Sequence, residues 1–424
     1  MERPLRVLFS GWTLVPHSYA CVNCFQIVHL YKNYREKVEI FIEEMPYFQA
    51  HWNNAKKQVY SEEYDSILKS LKKYNGEDVD VVYSITYPYN IKTSGNVKRC
   101  VFYTSEFSKL DSKYFMLGNG KSCEGMGEDF IKGYVNDSEN NLWFTSPSEW
   151  SSEGMRGYGV SDSRNRVITH GVDTATFKRD STNRDKVRAF YKVEESDTLI
   201  LNVGAMTQNK GIMLLLESLN VIVNRMGDTS FKLLLKGTGD LYQSKNFLEL
   251  YFEDFQRRNV MSKSEVDTLL QNHIIFTDKT LSYAKINDLY NACDVYVCPY
   301  LAEGFGLVPL ECLSSGCKVI VPRTGSTKEY IDDIYSRGGK DFIMYVNSEV
   351  HTFQGGLKQN VIDVRELTEV IIKNKGNYKS KSTDGYKEMR MYIESAYSWN
   401  RVSRLLFDYL KTIVSTNVKD CQGA

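Results

Sequence analysis

The sequence predicts an α/β chain of two doubly wound, Rossmann-like domains facing each other across a cleft. Three observations carry that expectation. Short apolar runs alternate with helical patterns through the first 170 residues. The same alternation restarts near Thr198, after a charged stretch. A strand, a glycine turn, a helix and a second strand then follow within residues 294–322. Repeated alternation of this kind favours parallel sheets with helices on both faces, and ligands bind beyond the carboxyl ends of the strands.

The elements follow in order. Strands are expected at Leu5–Ser10, Val38–Ile42, Val79–Ser84, Arg99–Tyr103 and Asn141–Thr145, with helices at Cys24–Tyr34 and Tyr64–Lys73 among them. The stretch from Lys178 to Lys192 is charged and without a strong apolar period, which places the domain junction there. The second series has strands at Thr198–Gly204, Phe231–Lys236 and Ile274–Phe276, with helices at Gly211–Val223 and Ala284–Ala292. Leu357–Lys381 shows no clear period, whereas Tyr397–Leu410 is amphipathic behind the N-cap candidate Ser398. The expected domains are residues 1–188, 189–395 and a closing helical segment, 396–424.

Composition narrows the function. A chain of 424 residues with 42% hydrophobic and 25% charged residues suits two folded domains. Lys+Arg and Asp+Glu are each 53, so the formal net charge is zero and no nucleic-acid partner is implied. Val7 to Tyr31 carries no formal charge, but Gly11, Pro16, His17, Asn23 and Gln26 interrupt it. It is therefore neither a membrane span nor a signal peptide. A cytoplasmic location is expected, with peripheral membrane contact left open. The nine cysteines are odd in number and several fall in apolar patterns, as buried thiols do. Cys21 and Cys24 have C-x-x-C spacing, yet no second Cys or His pair completes a zinc set, so no metal is expected.

The chemistry concentrates at Glu303-Gly304-Phe305-Gly306-Leu307-Val308-Pro309-Leu310-Glu311. Gly306 lets the backbone approach a ligand, and the N–H groups of Leu307 and Val308 open a helix. Helix-opening amides attract an anion, typically a phosphate. Pro309 lacks an N–H and suits a first helical turn. Carboxylates accept hydrogen bonds from paired hydroxyls such as those of a ribose or hexose. Phosphate donors between two hydroxyl acceptors suit a nucleotide-sugar. The Gly237-Thr238-Gly239 turn is a second place where backbone can approach a nucleotide, and Glu106 is a candidate for an acceptor hydroxyl.

These segments, in order, resemble the retaining glycosyltransferases of the GT-B fold, specifically family four. Ser146-Pro147-Ser148-Glu149-Trp150, His170-Gly171-Val172-Asp173 with Phe177, Gly204 through Lys210-Gly211, Lys236-Gly237-Thr238-Gly239, Glu303 to Glu311 and Tyr397-Ser398-Trp399 carry the resemblance. It implies that Glu311 binds the donor ribose and that Glu303 faces the transferred sugar near its anomeric carbon. It implies that Lys210 neutralises the departing diphosphate, and that Phe305, Gly306, Leu307 and Val308 hold donor through backbone. It places Gly204 at the donor, Thr280 and Leu281 at the base, and Gly11 under the pyrophosphate and acceptor. The closing helix is implied to cross back to the first domain. Departures stand beside it. Ala205-Met206 replaces an arginine that many relatives carry, the loop from Gly11 to Leu14 has one glycine, and Thr104-Ser105-Glu106 stands where many relatives have a histidine.

The expected activity is hexosyl transfer, glucosyl or mannosyl in type, from a UDP- or GDP-sugar to a hydroxyl acceptor on a glycan, lipid or other molecule. Anomeric configuration would be retained, with no cofactor and no metal. Two alternatives share the fold: a catalytically weakened sugar-nucleotide-binding protein and a non-hydrolysing sugar-nucleotide epimerase. A dinucleotide oxidoreductase is disfavoured because no G-x-G-x-x-G follows the first strand.

Overall fold

Runs such as Leu199-Ile200-Leu201 and Leu233-Leu234-Leu235 are wholly shielded from solvent. That is the pattern of strands covered on both faces, as parallel sheets require. In the computed structural model these runs form two separate parallel sheets. The structure describes residues 3–55, 59–93, 95, 97–118, 120–378 and 383–418. The chain divides into two units, Met1–Gly171 with Tyr397–Ala424, and Val172–Ala396.

The first unit holds β1 (Leu5–Gly11), β2 (Val38–Glu44), β3 (Lys72–Lys73), β4 (Val81–Ile85), β5 (Lys98–Phe102), β6 (Leu142–Ser146) and β7 (Asn165–Val167). Their spatial order is β3-β2-β1-β4-β5-β6-β7. Every pairing is parallel, Val7 for example standing beside Ile40 on one side and Val81 on the other. The order reverses direction at β1, which makes the space beyond the carboxyl ends of β1 and β4 the ligand position of a doubly wound sheet. Helix Trp399–Ser415 belongs to this unit and lies against helix Ser18–Tyr34. Trp399 stacks on Phe25 with centroids 5.0 Å apart, and Phe407 stacks on Tyr34 at 4.4 Å. Lys98 donates to the carbonyls of Ile413, Val414 and Thr416 at 2.7, 3.0 and 2.6 Å, where helix carbonyls lack intrahelical partners.

The second unit holds β8 (Thr198–Val203), β9 (Phe231–Lys236), β10 (Ile274–Thr277), β11 (Val295–Val297), β12 (Lys318–Pro322) and β13 (Ile343–Val346). The order is β10-β9-β8-β11-β12-β13, again all parallel. The reversal falls at β8, so the switch point is beyond Val203 and Val297.

Residues 172–188, expected with the first domain, pack with the second unit instead. The charged stretch contains helix Arg184–Phe190, whose Arg184 and Arg188 hold the buried Asp294 carboxylate at 2.8 and 3.1 Å. Asp294 also accepts from the Leu199 amide at 2.8 Å. The lack of an apolar period there reflects a helix anchored through charge. Leu357–Lys381 also gains structure: strand Lys358–Val361 pairs antiparallel with Glu349–Thr352, and helix Val364–Lys373 follows. Residues 379–381 of that stretch lie outside the described residues. Cys24 is buried and its thiol donates to the Thr13 carbonyl at 3.4 Å, a packing role for one half of the C-x-x-C pair. Among the described residues, no helix is long and apolar enough to cross a membrane.

Candidate active site

At the switch point of the second sheet, the loop after β8 meets the loop after β11. The amides of Leu301 and Ala302 both donate to the Asn209 carbonyl, at 2.8 and 3.2 Å. Asn209 returns a side-chain bond to the Ala302 carbonyl at 3.3 Å and is itself fixed by the Thr207 hydroxyl at 2.6 Å. This sets Lys210 opposite Glu303. The ammonium of Lys210 donates to Glu303 Oε2 and lies 5.3 Å from the centroid of the Tyr300 ring. Both side chains keep some exposure, 20% for Lys210 and 15% for Glu303, so the pair sits at a wetted rim and can be engaged by a ligand.

Glycine at 211 is a requirement of this approach. Its φ is +69°, and a Cβ there would stand 1.9 Å from the Pro299 carbonyl oxygen. Only a residue without a side chain lets the Lys210 turn close on the β11 loop.

Beyond Glu303 the chain turns through Gly306, at φ +87°, into helix Leu307–Ser314. The turn is held from behind. Phe305 stacks on Tyr330 at 4.8 Å, Tyr330 donates to the Gly306 carbonyl at 2.6 Å, and Ser326 donates to the Glu303 carbonyl at 2.6 Å. No acidic side chain occupies the first turn of the helix. Its opening amides, at Leu307 and Val308, lack intrahelical acceptors and carry the positive end of the helix dipole.

Glu311 is half-buried and accepts from the Tyr290 hydroxyl at 2.7 Å. Burial pushes its carboxyl up to about 8; the Tyr290 bond works the other way, and Asp173 adds to the rise. A carboxyl held this far above its ordinary range is poised to gain from any hydroxyl donors that arrive.

The remaining expected residues separate into two sets. Gly204 has φ +146° and nothing within 4 Å of the position a Cβ would take, so the space beside it stays open for a ligand. At Gly237 a Cβ would meet the Ser244 side chain at 2.5 Å, and at Gly239 the Asp278 carboxylate at 2.7 Å. The amides of Gly237, Thr238 and Gly239 are bonded to Thr277 O, Ser244 Oγ and Asp278 O. Close packing within the unit accounts for these two glycines without a nucleotide. Thr280 donates to Asp240 at 2.9 Å, tying the loop after β10 to the short helix after β9, with Leu281 half-buried next to it. Gly11 likewise has no open face: a Cβ would stand 2.5 Å from Ile85 O and 3.0 Å from the Asn23 amide. Glu106 is half-buried in the first unit, its carbonyl accepting from the Trp150 indole at 2.8 Å.

His170, the one histidine of the junction motif, is 4% exposed with its ring against Phe102 and Trp399 at 5.6 and 6.2 Å. Burial lowers it to about 3, so it is neutral and belongs to the core. Tyr290, Tyr300, Tyr330, Asn209 and Ser326 were not foreseen as site residues. Each acts through one hydroxyl, amide or ring face at long sequence range, and no spacing in the chain marks such contacts.

Comparison with solved proteins defines the fold first. A glycosyltransferase from Rickettsia africae superposes with a TM-score of 0.64 at 16% identity, covering 98% of this chain and 100% of that one. The Anabaena HepE protein, solved with UDP and glucose, gives 0.60 at 12%, covering 96% and 100%. The fold is that of the GT-B glycosyltransferases, with two Rossmann-like domains. Sequence comparison then shows what the second unit is similar to. Residues 197–352 match the model described as Glycosyl transferases group 1. An uncharacterized glycosyltransferase of Methanocaldococcus jannaschii is 26% identical over 219 residues, 49% of this chain and 50% of the relative. A D-inositol 3-phosphate glycosyltransferase of Pseudarthrobacter chlorophenolicus is also 26% identical, over 52% and 48% of the two chains. A glycogen synthase of Clostridium beijerinckii shares 26% over 284 residues, 61% and 52%. The chain spans about half the length of these curated relatives.

Proposed function

We propose that this chain is a glycosyltransferase that moves a hexose from a UDP- or GDP-sugar to a hydroxyl acceptor, retaining the configuration of the anomeric carbon. The observation that carries the reading is the Lys210–Glu303 pair at the switch point, immediately ahead of the helix that bears Glu311. The family match over residues 197–352 supports the reaction class, and the UDP complexes of HepE support a nucleotide-sugar donor.

In this reading the diphosphate lies against the Leu307 and Val308 amides. Lys210 leaves Glu303 for the phosphate as negative charge grows on the departing group. Donors already aimed at developing charge lower the barrier because they need no reorganisation. Glu303, once released, is free to orient hydroxyls of the transferred sugar. Glu311 accepts from the ribose, with Tyr290 holding its second oxygen. The departing phosphate takes the acceptor proton. Lys210 and the helix amides supply the positive charge, so the scheme calls on no metal ion and no cofactor.

The test is donor turnover with released nucleotide as the readout. Lys210→Ala and Glu303→Ala are each expected to lower kcat by on the order of 100- to 1000-fold with an unchanged melting temperature. Near-normal turnover in either variant would remove its assigned role. Donor binding without transfer to any acceptor in a broad panel would point to the weakened binding protein instead, and epimerisation of donor alone to the epimerase.

A further inference from the structure

Two loops bear on Glu303. The loop after β11 runs through Tyr300 and Leu301 just ahead of it, and the loop after β12 runs through Thr324 and Gly325 to Ser326, which holds the Glu303 carbonyl. A third segment joins these loops. It is the hairpin of Glu349–Thr352 and Lys358–Val361, which follows β13. Glu349–Thr352 is exposed throughout, and in Lys358–Val361 the buried residue is Asn360, at 5% exposure.

Asn360 bonds to both loops at once. Its backbone amide donates to the Leu301 carbonyl at 2.7 Å. Its side-chain nitrogen donates to the Tyr300 carbonyl at 2.9 Å and to the Thr324 carbonyl at 3.4 Å. Its side-chain oxygen accepts from the Thr324 hydroxyl at 2.8 Å. That hydroxyl has one proton, so it accepts in turn from Ser348, 2.7 Å away. Carbonyl oxygens only accept, so the side-chain nitrogen must face Tyr300 and Thr324 and the amide has one orientation. The backbone beside it makes room: Gly325 has φ +82°, and a Cβ there would stand 2.9 Å from Asn360 Nδ2. Burying an amide is costly unless its polar atoms are bonded, and both ends of this one are. An apolar side chain could seat the hairpin, but only a group with donors and an acceptor ties the two loops to each other.

We propose that Asn360 is a positioning residue for glycosyl transfer: by fixing the loops after β11 and β12 against each other, it holds Glu303 where the transferred sugar is met. The proposal rests on the transferase reading. Misplacing a group by about 1 Å at a reacting centre can cost on the order of 100-fold in rate. Asn360 lies outside the residues 197–352 that match the family model, in a stretch whose sequence shows no clear period.

The experiment measures donor turnover and thermal unfolding on the full chain for Asn360→Ala and Thr324→Val, and for each combined with Glu303→Ala. Thr324→Val keeps the side-chain shape and removes one hydroxyl, so it reads the same contact if Asn360→Ala fails to fold. The expected kcat is lower by at least about tenfold in Asn360→Ala and at least about threefold in Thr324→Val, with donor KM little changed. In the Glu303→Ala background neither change should lower kcat by more than about twofold further, because the group being positioned is gone. A folded variant with lowered melting temperature but parental kcat, a rise in KM alone, or an undiminished loss in the Glu303→Ala background would overturn the proposal and leave the transferase reading standing. A parent chain that turns over no UDP- or GDP-sugar would overturn both.

Discussion

On the proposed reading, one carboxyl group, that of Glu311, would couple ionisation to ligand. Its folded-state value of about 8 lies above the ordinary 4.5, so folding favours the protonated form. The stability it contributes is complete below about 4.5 and is lost as pH rises through about 8. Glu311→Gln should therefore gain stability on the parent chain across that window, as measured by chemical denaturation at stepped pH. Ribose hydroxyls donate to a carboxylate, so donor binding draws the group towards its charged form. Below pH ~8, nucleotide binding should release up to one proton, and affinity should rise with pH until the group is ionised. Calorimetry in buffers of different ionisation enthalpy reads that proton directly. A flat affinity between pH 6 and 9 with no buffer dependence would contradict the ribose role; Glu311→Gln should abolish the proton release in any case.

Among the elements, the βαβ unit from β11 to β12 was the most legible in the sequence. Its glycine turn, helix start and flanking glutamates are local signals, and each lies where the pattern of residues 294–322 predicted. The junction was misplaced for a physical reason. Helix Arg184–Phe190 is held by Arg184 and Arg188 on Asp294, and an ion pair more than 100 residues apart leaves no apolar period to read. The glycines at 237 and 239 illustrate a related limit: a sequence shows that a side chain is missing but not whether Ser244, Asp278 or a ligand takes the space. Two predictions belong at this scale. Asp294→Ala leaves Arg184 without its carboxylate and Arg188 with only the exposed Glu195, 3.8 Å away, and should cost about 3–5 kcal/mol in urea unfolding. Gly211→Ala forces a Cβ into the Pro299 carbonyl at a positive φ and should cost roughly 2 kcal/mol or more. A change of under 0.5 kcal/mol in either would show that the loop or helix relaxes freely.

Over the whole molecule, the first unit is made from both ends of the described chain. Trp399 and Phe407 stack on Phe25 and Tyr34 of helix Ser18–Tyr34, so the closing helix is part of that unit's core. Trp399→Ala should destabilise the first unit by about 3–5 kcal/mol. The resulting unfolding curve should separate into two steps, with nucleotide protecting only the later one. A single unshifted transition would argue against this. The discontinuity also bears on synthesis. Between Gly171 and Tyr397 lie 225 residues (397 − 171 − 1). At roughly 5–20 residues per second, a ribosome needs about 10–45 s to traverse them. Until Trp399–Ser415 has been made, the nascent amino-terminal sheet lacks the helix that covers Ser18–Tyr34.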